Sequence, residues 1–243
     1  FLFYGLKRSG NHGIISSIIQ AHPNSIHINN VRLSISKFRK FRNIPITKHA
    51  RSKYYTGFNN ADCLIISMEN RSFDIHKIQK FKKAFTNNFD TVYPILLLRN
   101  PYNNSSSIWK VYHNLPIKSK LEKKKFIINT WELYANEYFN DNSVFIKILY
   151  DKFYTDNDYR KNLFKLFNIN NIDNIDFGLK YGPGDSSFII NSKKRKYWGK
   201  FEDCFGYNEI LFRNLFHDNI HKLWNNIKNT NNTNNTNNNL SLY

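Results

Sequence analysis

The sequence predicts an α/β fold: a three-layer, doubly wound and mostly parallel sheet with a glycine-containing loop after its first strand. Runs such as Cys63–Met68 and Val92–Leu98 are apolar at every position, which is typical of strands covered on both faces. Segments with helical spacing of apolar residues, such as Phe73–Phe85, alternate with these runs. The turn Gly5–Gly13 separates the first strand from the first helix. Alternating strands and helices of this kind predict a parallel sheet with a ligand at the carboxyl ends of its strands.

The remaining elements complete one domain over residues 1–224. We expect strands at Phe1–Tyr4, Ser25–Asn29 and Val144–Tyr150, and helices at Ile14–Ile19, Ser105–His113, Leu121–Phe139, Tyr159–Phe167 and Tyr207–Trp224. From Asn225 the chain is rich in Asn and Thr. Such a composition buries little apolar surface, so we predict a disordered tail over residues 225–243.

The charge of the chain predicts an anionic partner. There are 36 Lys and Arg against 18 Asp and Glu, a net charge of +18. A polyphosphorylated nucleotide, a nucleic acid, an acidic glycan and an anionic membrane surface all fit this charge. The basic segment Val31–Lys53 shows no sustained alternation, and we interpret it as a solvated insertion rather than a polyanion site.

Cysteine spacing and hydropathy bear on the cellular compartment of the protein. Cys63 and Cys204 stand outside any disulfide or zinc spacing, which favours a reducing compartment and no metal site. No apolar run reaches the length of a membrane span. We therefore expect a cytoplasmic location, with the natural protein beginning upstream of Phe1, because the chain opens inside a strand without Met.

The loop after the first strand has a P-loop-like pattern with displaced cations. A nucleoside triphosphatase carries Lys and Ser or Thr directly after the second glycine, where they bind the phosphates and Mg²⁺. Here Asn11 and His12 follow Gly10, while Lys7 and Arg8 precede it. Glycines and helix-start amides still suit a phosphate at this place. The pattern disfavours ATP–Mg chemistry, although a P-loop kinase of a small metabolite stays open.

The segment Arg8–His12 resembles the loop with which sulfotransferases hold the 5′-phosphosulfate of 3′-phosphoadenosine-5′-phosphosulfate (PAPS). That loop has Lys or Arg, then Ser-Gly-Thr-Thr, and both Thr are replaced here. A second likeness follows the best strand, where Arg99 begins Arg-Asn-Pro and Ser107 lies eight residues on. The family binds the 3′-phosphate with such an Arg and Ser, and Asn103 replaces the Asp of its pattern. A guanidinium fork suits a phosphate independently of the likeness.

Weaker likenesses to sulfotransferases occur later in the chain, in the same order as in that family. Tyr150 ends a strand at a place that lies near the adenine in sulfotransferases. Lys194 and Arg195 belong to a basic turn similar to the one that holds the 3′-phosphate, with Lys196 in place of a glycine. Ser187 and Phe188 are candidates for ribose or adenine contacts.

The resemblance implies transfer of a sulfuryl group from PAPS to an acceptor hydroxyl or amine, with a carbohydrate among the candidate acceptors and no metal. Arg8 would stabilise the leaving phosphate oxygen with help from Lys7, and Glu69, after its strand, is the first choice of general base. His12 and His27 are the next choices. The loop residues expected to contact the cofactor are Ser9, Gly10 and Asn11. A basic nucleic-acid-binding module is the alternative from another class, but no recognised nucleic-acid motif accompanies the charge.

Overall fold

The fold is known from a computed structural model that describes residues 1–30, 61–85, 89–111, 117–169, 175 and 216–233. It confirms the α/β class. The strands are β1 (Leu2–Gly5), β2 (Ser25–Ile28), β3 (Cys63–Glu69), β4 (Pro94–Leu98) and β5 (Ile146–Leu149). The helices are α1 (Asn11–Ala21), α2 (Ile75–Phe85), α3 (Pro101–Val111), α4 (Ile117–Phe139), α5 (Tyr150–Thr155), α6 (Asn157–Leu166) and α7 (Asp218–Thr233).

The strands form one five-stranded sheet in the order β2-β3-β1-β4-β5, and every described pairing is parallel. β1 therefore lies in the centre. Gly5 at its carboxyl end is in register with Glu69 on β3 and with Leu97 on β4. Because all strands run in the same direction, the loops that follow them meet at one edge of the sheet.

Helices cover both faces of the sheet, which gives the predicted three layers. Alternation along β1 sends Leu2 and Tyr4 to one face and Phe3 to the other. The first face packs against α2, α3, α4 and α7, and the second against α1, α5 and α6. Ile14, for example, is fully buried on the second face.

The ends of several helices and strands differ from the sequence predictions. α1 begins at Asn11 rather than at Ile14, and α3 begins at Pro101, whose ring suits the first turn of a helix. Tyr150, expected at the end of a strand, instead begins α5. At α6 the side chain of Asp156 accepts a hydrogen bond from the backbone N–H of Tyr159, which caps the helix.

The prediction of a disordered tail from Asn225 is wrong for residues 225–233. These residues continue α7, and Ile227 is fully buried in the core of the first face. Ile220, Trp224 and Ile227 are spaced as one helical stripe, and packing of that stripe outweighs the poor helix propensity of the Asn residues between them. Residues 234–243 lie outside the described part of the chain, as does the basic segment 31–53.

None of the helices in the described ranges is long and apolar enough to cross a membrane. The longest, α4, has 23 residues and carries charged side chains along its first half. Cys63 is a buried free thiol, and burial raises its pKa. Cys204 lies outside the described residues.

Candidate functional site

The carboxyl edge of the sheet offers a crevice around β1. The chain leaves β1 into α1 on the second face, whereas it leaves β3 and β4 into α2 and α3 on the first face. In open α/β sheets, ligands bind where neighbouring strands send their connections to opposite faces. The loop between β1 and α1, Leu6–Gly10, lies at that place and is here called the β1–α1 loop.

The β1–α1 loop has a constrained backbone. Arg8 has a φ of 66° and Gly10 a φ of 99°, both in the left-handed region. The backbone N–H of Ser9 donates to the carbonyl of Leu6 over 3.0 Å, which closes a tight turn. The first amides of α1 follow directly, and the first four amides of a helix have no partner within it. The positive end of α1 therefore lies at the crevice, and of its first amides that of Gly13 donates to the Gly10 carbonyl.

Ser9 and Asn11 hold the loop together from inside. Both side chains are buried, and the Ser9 hydroxyl donates to Asn11 Oδ1 over 3.3 Å. Asn11 Nδ2 donates to the Leu6 carbonyl over 3.3 Å. A Cβ on Gly5 would lie 2.1 Å from Asn11 Oδ1, so the folded loop requires glycine there. The predicted cofactor contact of Asn11 would consequently come from its backbone, whereas the Ser9 amide already donates to the Leu6 carbonyl.

Side chains from neighbouring strand ends and from α3 fix the backbone of Lys7 and Arg8. The Lys7 amide donates to Asn70 Oδ1 over 2.7 Å, and the Lys7 carbonyl accepts from Asn104 Nδ2 over 3.1 Å. Arg99 Nη1 donates to the Arg8 carbonyl over 2.6 Å. The loop is therefore tied to the ends of both β3 and β4.

Arg99 lies between the loop and the end of β5. Its guanidinium carbon is 5.3 Å from the centroid of the Tyr150 ring, and a Cβ on Gly10 would lie 2.1 Å from the same ring. Burial lowers the pKa of Arg99, while Tyr150 and Asp151 act in the opposite direction. Asp151 accepts a hydrogen bond from the Asn100 amide over 2.7 Å, and burial raises its pKa.

The sequence predicts that Tyr150 lies near the adenine of PAPS. Its side chain is only 1% exposed and packs beneath Gly10 and Arg99, so it supports the loop in this structure. Ser107 lies on α3, eight residues after Arg99, and its side chain is outside the described part of the protein. The predicted nucleotide contacts Ser187, Phe188, Lys194 and Arg195 also lie outside the described residues.

On the other side of the loop, neutral side chains form a hydrogen-bonded row. The Ser67 hydroxyl donates to Asn29 Oδ1 over 2.9 Å, and Ser67 Oγ is 3.0 Å from His27 Nε2. Because a hydroxyl has one proton to donate, His27 Nε2 must be the donor in the second bond. Burial lowers the pKa of His27 to about 3, with His12 adding to the effect, so the ring is neutral at physiological pH.

His12 brings this row to the start of α1. Its ring meets that of His27 edge to face, with centroids 5.9 Å apart. Burial lowers the pKa of His12, Arg8 lowers it further, and Glu69 opposes both. Glu69 is the last residue of β3, in register with Gly5. Three of the predicted catalytic groups, Arg8, His12 and Glu69, thus belong to one electrostatic neighbourhood.

Sequence reasoning missed Asn70, Asn104, Ser67 and Trp131. The indole of Trp131 on α4 donates to the Arg99 carbonyl over 2.8 Å and so fixes the residue that follows β4. Asn70 directly follows β3, and this position was the available signal, since polar residues after parallel strands face the ligand edge. No such signal marked Asn104 or Trp131, which lie within helices.

A cavity of about 220 Å³ lies at the opposite, amino edge of the sheet. Phe1, Val92, Tyr93 and Phe167 are among the residues that line it. The loop residues and the polar row described above are all at the carboxyl edge. We take the carboxyl edge as the candidate site because charged and polar groups converge there, whereas the cavity lies at the other edge.

Comparison with known proteins gave no match to a protein-family model, a curated protein or a solved structure. Among the described residues there is no group of His, Cys, Asp or Glu side chains that could hold a metal ion.

Proposed function

We propose that this protein is a PAPS-dependent sulfotransferase that acts at the carboxyl edge of the sheet. The observation that carries the proposal is the hydrogen bond between Arg99, after β4, and the Arg8 carbonyl of the β1–α1 loop. These two residues carry the two clearest likenesses to sulfotransferases. Their contact supports the proposal, since both ends of one doubly phosphorylated nucleotide would have to be reached from one crevice.

The basic residues of the site would bind PAPS, the donor of the sulfuryl group. Arg8 would stabilise the oxygen of the leaving 5′-phosphate, with Lys7 assisting and the backbone amides of Gly10 and Asn11 binding phosphate oxygens. Arg99 would pair with the 3′-phosphate. The proposed partners outside the described side chains are Ser107, Lys194 and Arg195 for the 3′-phosphate, and Ser187 and Phe188, with Tyr150, for the adenosine.

The transfer itself would need alignment and a base more than covalent catalysis. The acceptor oxygen or nitrogen attacks the sulfur, the bond from sulfur to the 5′-phosphate oxygen breaks, and 3′,5′-ADP leaves with the electron pair. Glu69 would take the acceptor's proton. His12 is the alternative base, because burial and Arg8 lower its pKa and keep it unprotonated. With this activity we propose a cytoplasmic location.

A P-loop kinase is the alternative enzyme that could act at the carboxyl edge of the sheet. In a P-loop kinase the residue after the second glycine is a Lys that reaches the phosphates. Here Asn11 occupies that position, and its side chain is turned into the loop, bonded to the Leu6 carbonyl. The absence of a Lys at this position argues against a P-loop kinase.

Thermal-shift measurements against PAPS, 3′,5′-ADP, ATP with Mg²⁺ and single-stranded RNA would test the proposal. A ligand that binds only the folded state at a hundred times its Kd stabilises it by about 2.7 kcal/mol. We expect such shifts with PAPS and 3′,5′-ADP alone. A shift with ATP and Mg²⁺ but none with 3′,5′-ADP would indicate a kinase, and a salt-sensitive shift with RNA alone would indicate the nucleic-acid-binding alternative.

A further inference from the structure

We propose that Asn104 is a positioning residue that keeps the β1–α1 loop in its anion-binding conformation by turning the Lys7 carbonyl away from the crevice. The inference rests on the loop being the phosphate site of the proposed function. It adds a residue outside the loop that has no part in the sequence likeness, and it names how that residue acts.

The first step concerns the direction of the loop carbonyls. A carbonyl oxygen that pointed into the crevice would repel an anion, whereas the amides of the same peptides attract it. Asn104 Nδ2 binds the Lys7 carbonyl and Arg99 Nη1 binds the Arg8 carbonyl, both from the α3 and β4 side. The bond from Asn104 opposes a rotation of the peptide between Lys7 and Arg8 that would exchange its amide for its carbonyl at the ligand, and the bond from Arg99 fixes the next peptide, whose amide donates to the Leu6 carbonyl.

The second step concerns the strain of the backbone. Arg8 has a φ of 66°, which a non-glycine residue adopts only where its surroundings hold it there. The peptides on either side of this residue would relax into other conformations without fixed partners. The bonds to Asn70, Asn104 and Arg99 supply those partners.

The third step is an unsatisfied atom. Asn104 is 1% exposed, and its Oδ1 is buried with no hydrogen-bond partner among the described residues. A buried acceptor without a partner destabilises the folded protein, and a leucine of similar size would avoid that cost. The amide is therefore poorly explained by stability alone, whereas its donor has a defined task at Lys7.

We expect Asn104→Leu to lower the fraction of molecules whose loop is in the anion-binding conformation, and to leave the fold unchanged. If Asn104→Leu lets the loop sample other conformations, the apparent Kd for an anion rises by the inverse of the competent fraction. We expect inorganic pyrophosphate to bind about tenfold more weakly to the variant, the size of one misaligned charge-assisted bond. The melting temperature should stay within a few degrees of the wild type, because removal of the unsatisfied Asn104 Oδ1 offsets the loss of the bond to the Lys7 carbonyl.

The experiment is calorimetric titration of the whole chain with pyrophosphate, together with amide NMR of the loop. Ser105→Leu, one position along α3, is the matched control and should bind like the wild type. In free Asn104→Leu, the amide signals of Arg8 and Ser9 should move or broaden, and saturating pyrophosphate should restore them. A merely structural role would lower the melting temperature without this ligand-reversible change.

The outcomes separate this inference from the proposed function. If Asn104→Leu binds pyrophosphate as tightly as the wild type, with unmoved loop signals, the positioning role is overturned. If the wild type does not bind pyrophosphate at all, the inference is overturned as well. If pyrophosphate binding depends on Asn104 but 3′,5′-ADP binds no better than pyrophosphate, the positioning role stands and the sulfotransferase proposal fails.

Discussion

The two sides of the β1–α1 loop are built from different chemistry. Towards β4 and β5 the loop meets the guanidinium of Arg99, with Asp151 and Tyr150 around it. Towards β2 and β3 it meets His27, Ser67 and Asn29, which are neutral and bonded to one another. Charge that could bind phosphates thus lies on one side, and groups that could bind or deprotonate an uncharged acceptor lie on the other.

The two sides also differ in how they contact the β1–α1 loop. The charged side fixes the loop backbone directly, through Arg99 and Asn104, and through the ring of Tyr150 against Gly10. The neutral side binds the loop backbone through Asn70, whose Oδ1 accepts from the Lys7 amide, and the His12 ring at the start of α1 packs against the ring of His27. Substitutions on the charged side should therefore disturb the loop, whereas substitution of His27 should alter mainly the response to pH.

The largest effect is expected for Gly10→Ala. The added Cβ would lie 2.1 Å from the Tyr150 ring at a residue whose φ is 99°. We expect a loss of about 1–3 kcal/mol in the free energy of unfolding, because the left-handed backbone and the overlap both oppose the methyl group. Chemical denaturation would measure it.

Gly13→Ala is the matched control, since Gly13 lies within α1 and a Cβ there would be 3.9 Å from the Tyr150 ring. That variant should gain about 0.4–1 kcal/mol through helix propensity and lower chain entropy. Equal effects of the two substitutions would show that the contact between Gly10 and Tyr150 does not hold the loop.

His27→Gln should have no comparable effect at neutral pH, and its effect is expected only in acid. The unfolded ring titrates near 6.5 and the folded ring at about 3, so the unfolded state binds the additional proton between these values. Stability is therefore retained above pH 6.5 and is lost as the pH falls towards 3, with His12 acting in the same direction. Glutamine keeps a donor for Ser67 but cannot be protonated, so the variant should lose less stability between pH 6.5 and 4.

The control for this prediction is His76→Gln, because His76 is exposed on α2. Urea unfolding of the wild type and both variants at several pH values would separate the cases. If His27→Gln and the wild type show the same pH dependence, His27 is not held neutral by the folded protein.

Sequence reasoning predicted the strands and the edge at which their loops meet, but not the residues that support the β1–α1 loop. The fully apolar runs marked β3 and β4, and residues after such strands must share an edge, so the meeting of Arg99 with the loop after β1 followed from topology. The partners of that loop depend on which side of a helix faces the sheet. Asn104 and Trp131 lie in helices whose packing no local pattern reports, and the His27–Ser67 contact joins residues 40 apart.

Composition also misled at the end of the chain. Asn residues dominate after Trp224, but the stripe formed by Ile220, Trp224 and Ile227 is buried against the sheet. A few well-spaced apolar residues therefore determined the helix more than the polar residues between them. A periodicity count across the predicted boundary at Asn225 would have found it.

The central claim is that the charged side of the loop recognises a nucleotide with a 3′-phosphate, and calorimetric titration with 3′,5′-ADP and 5′-AMP tests it most directly. We predict that the wild type binds 3′,5′-ADP about ten- to a hundredfold more tightly, the size of one charge-assisted phosphate contact. Arg99→Ala should weaken both nucleotides, since Arg99 also holds the Arg8 carbonyl, and should remove most of the difference between them. Equal affinities of the wild type for the two nucleotides would contradict the account.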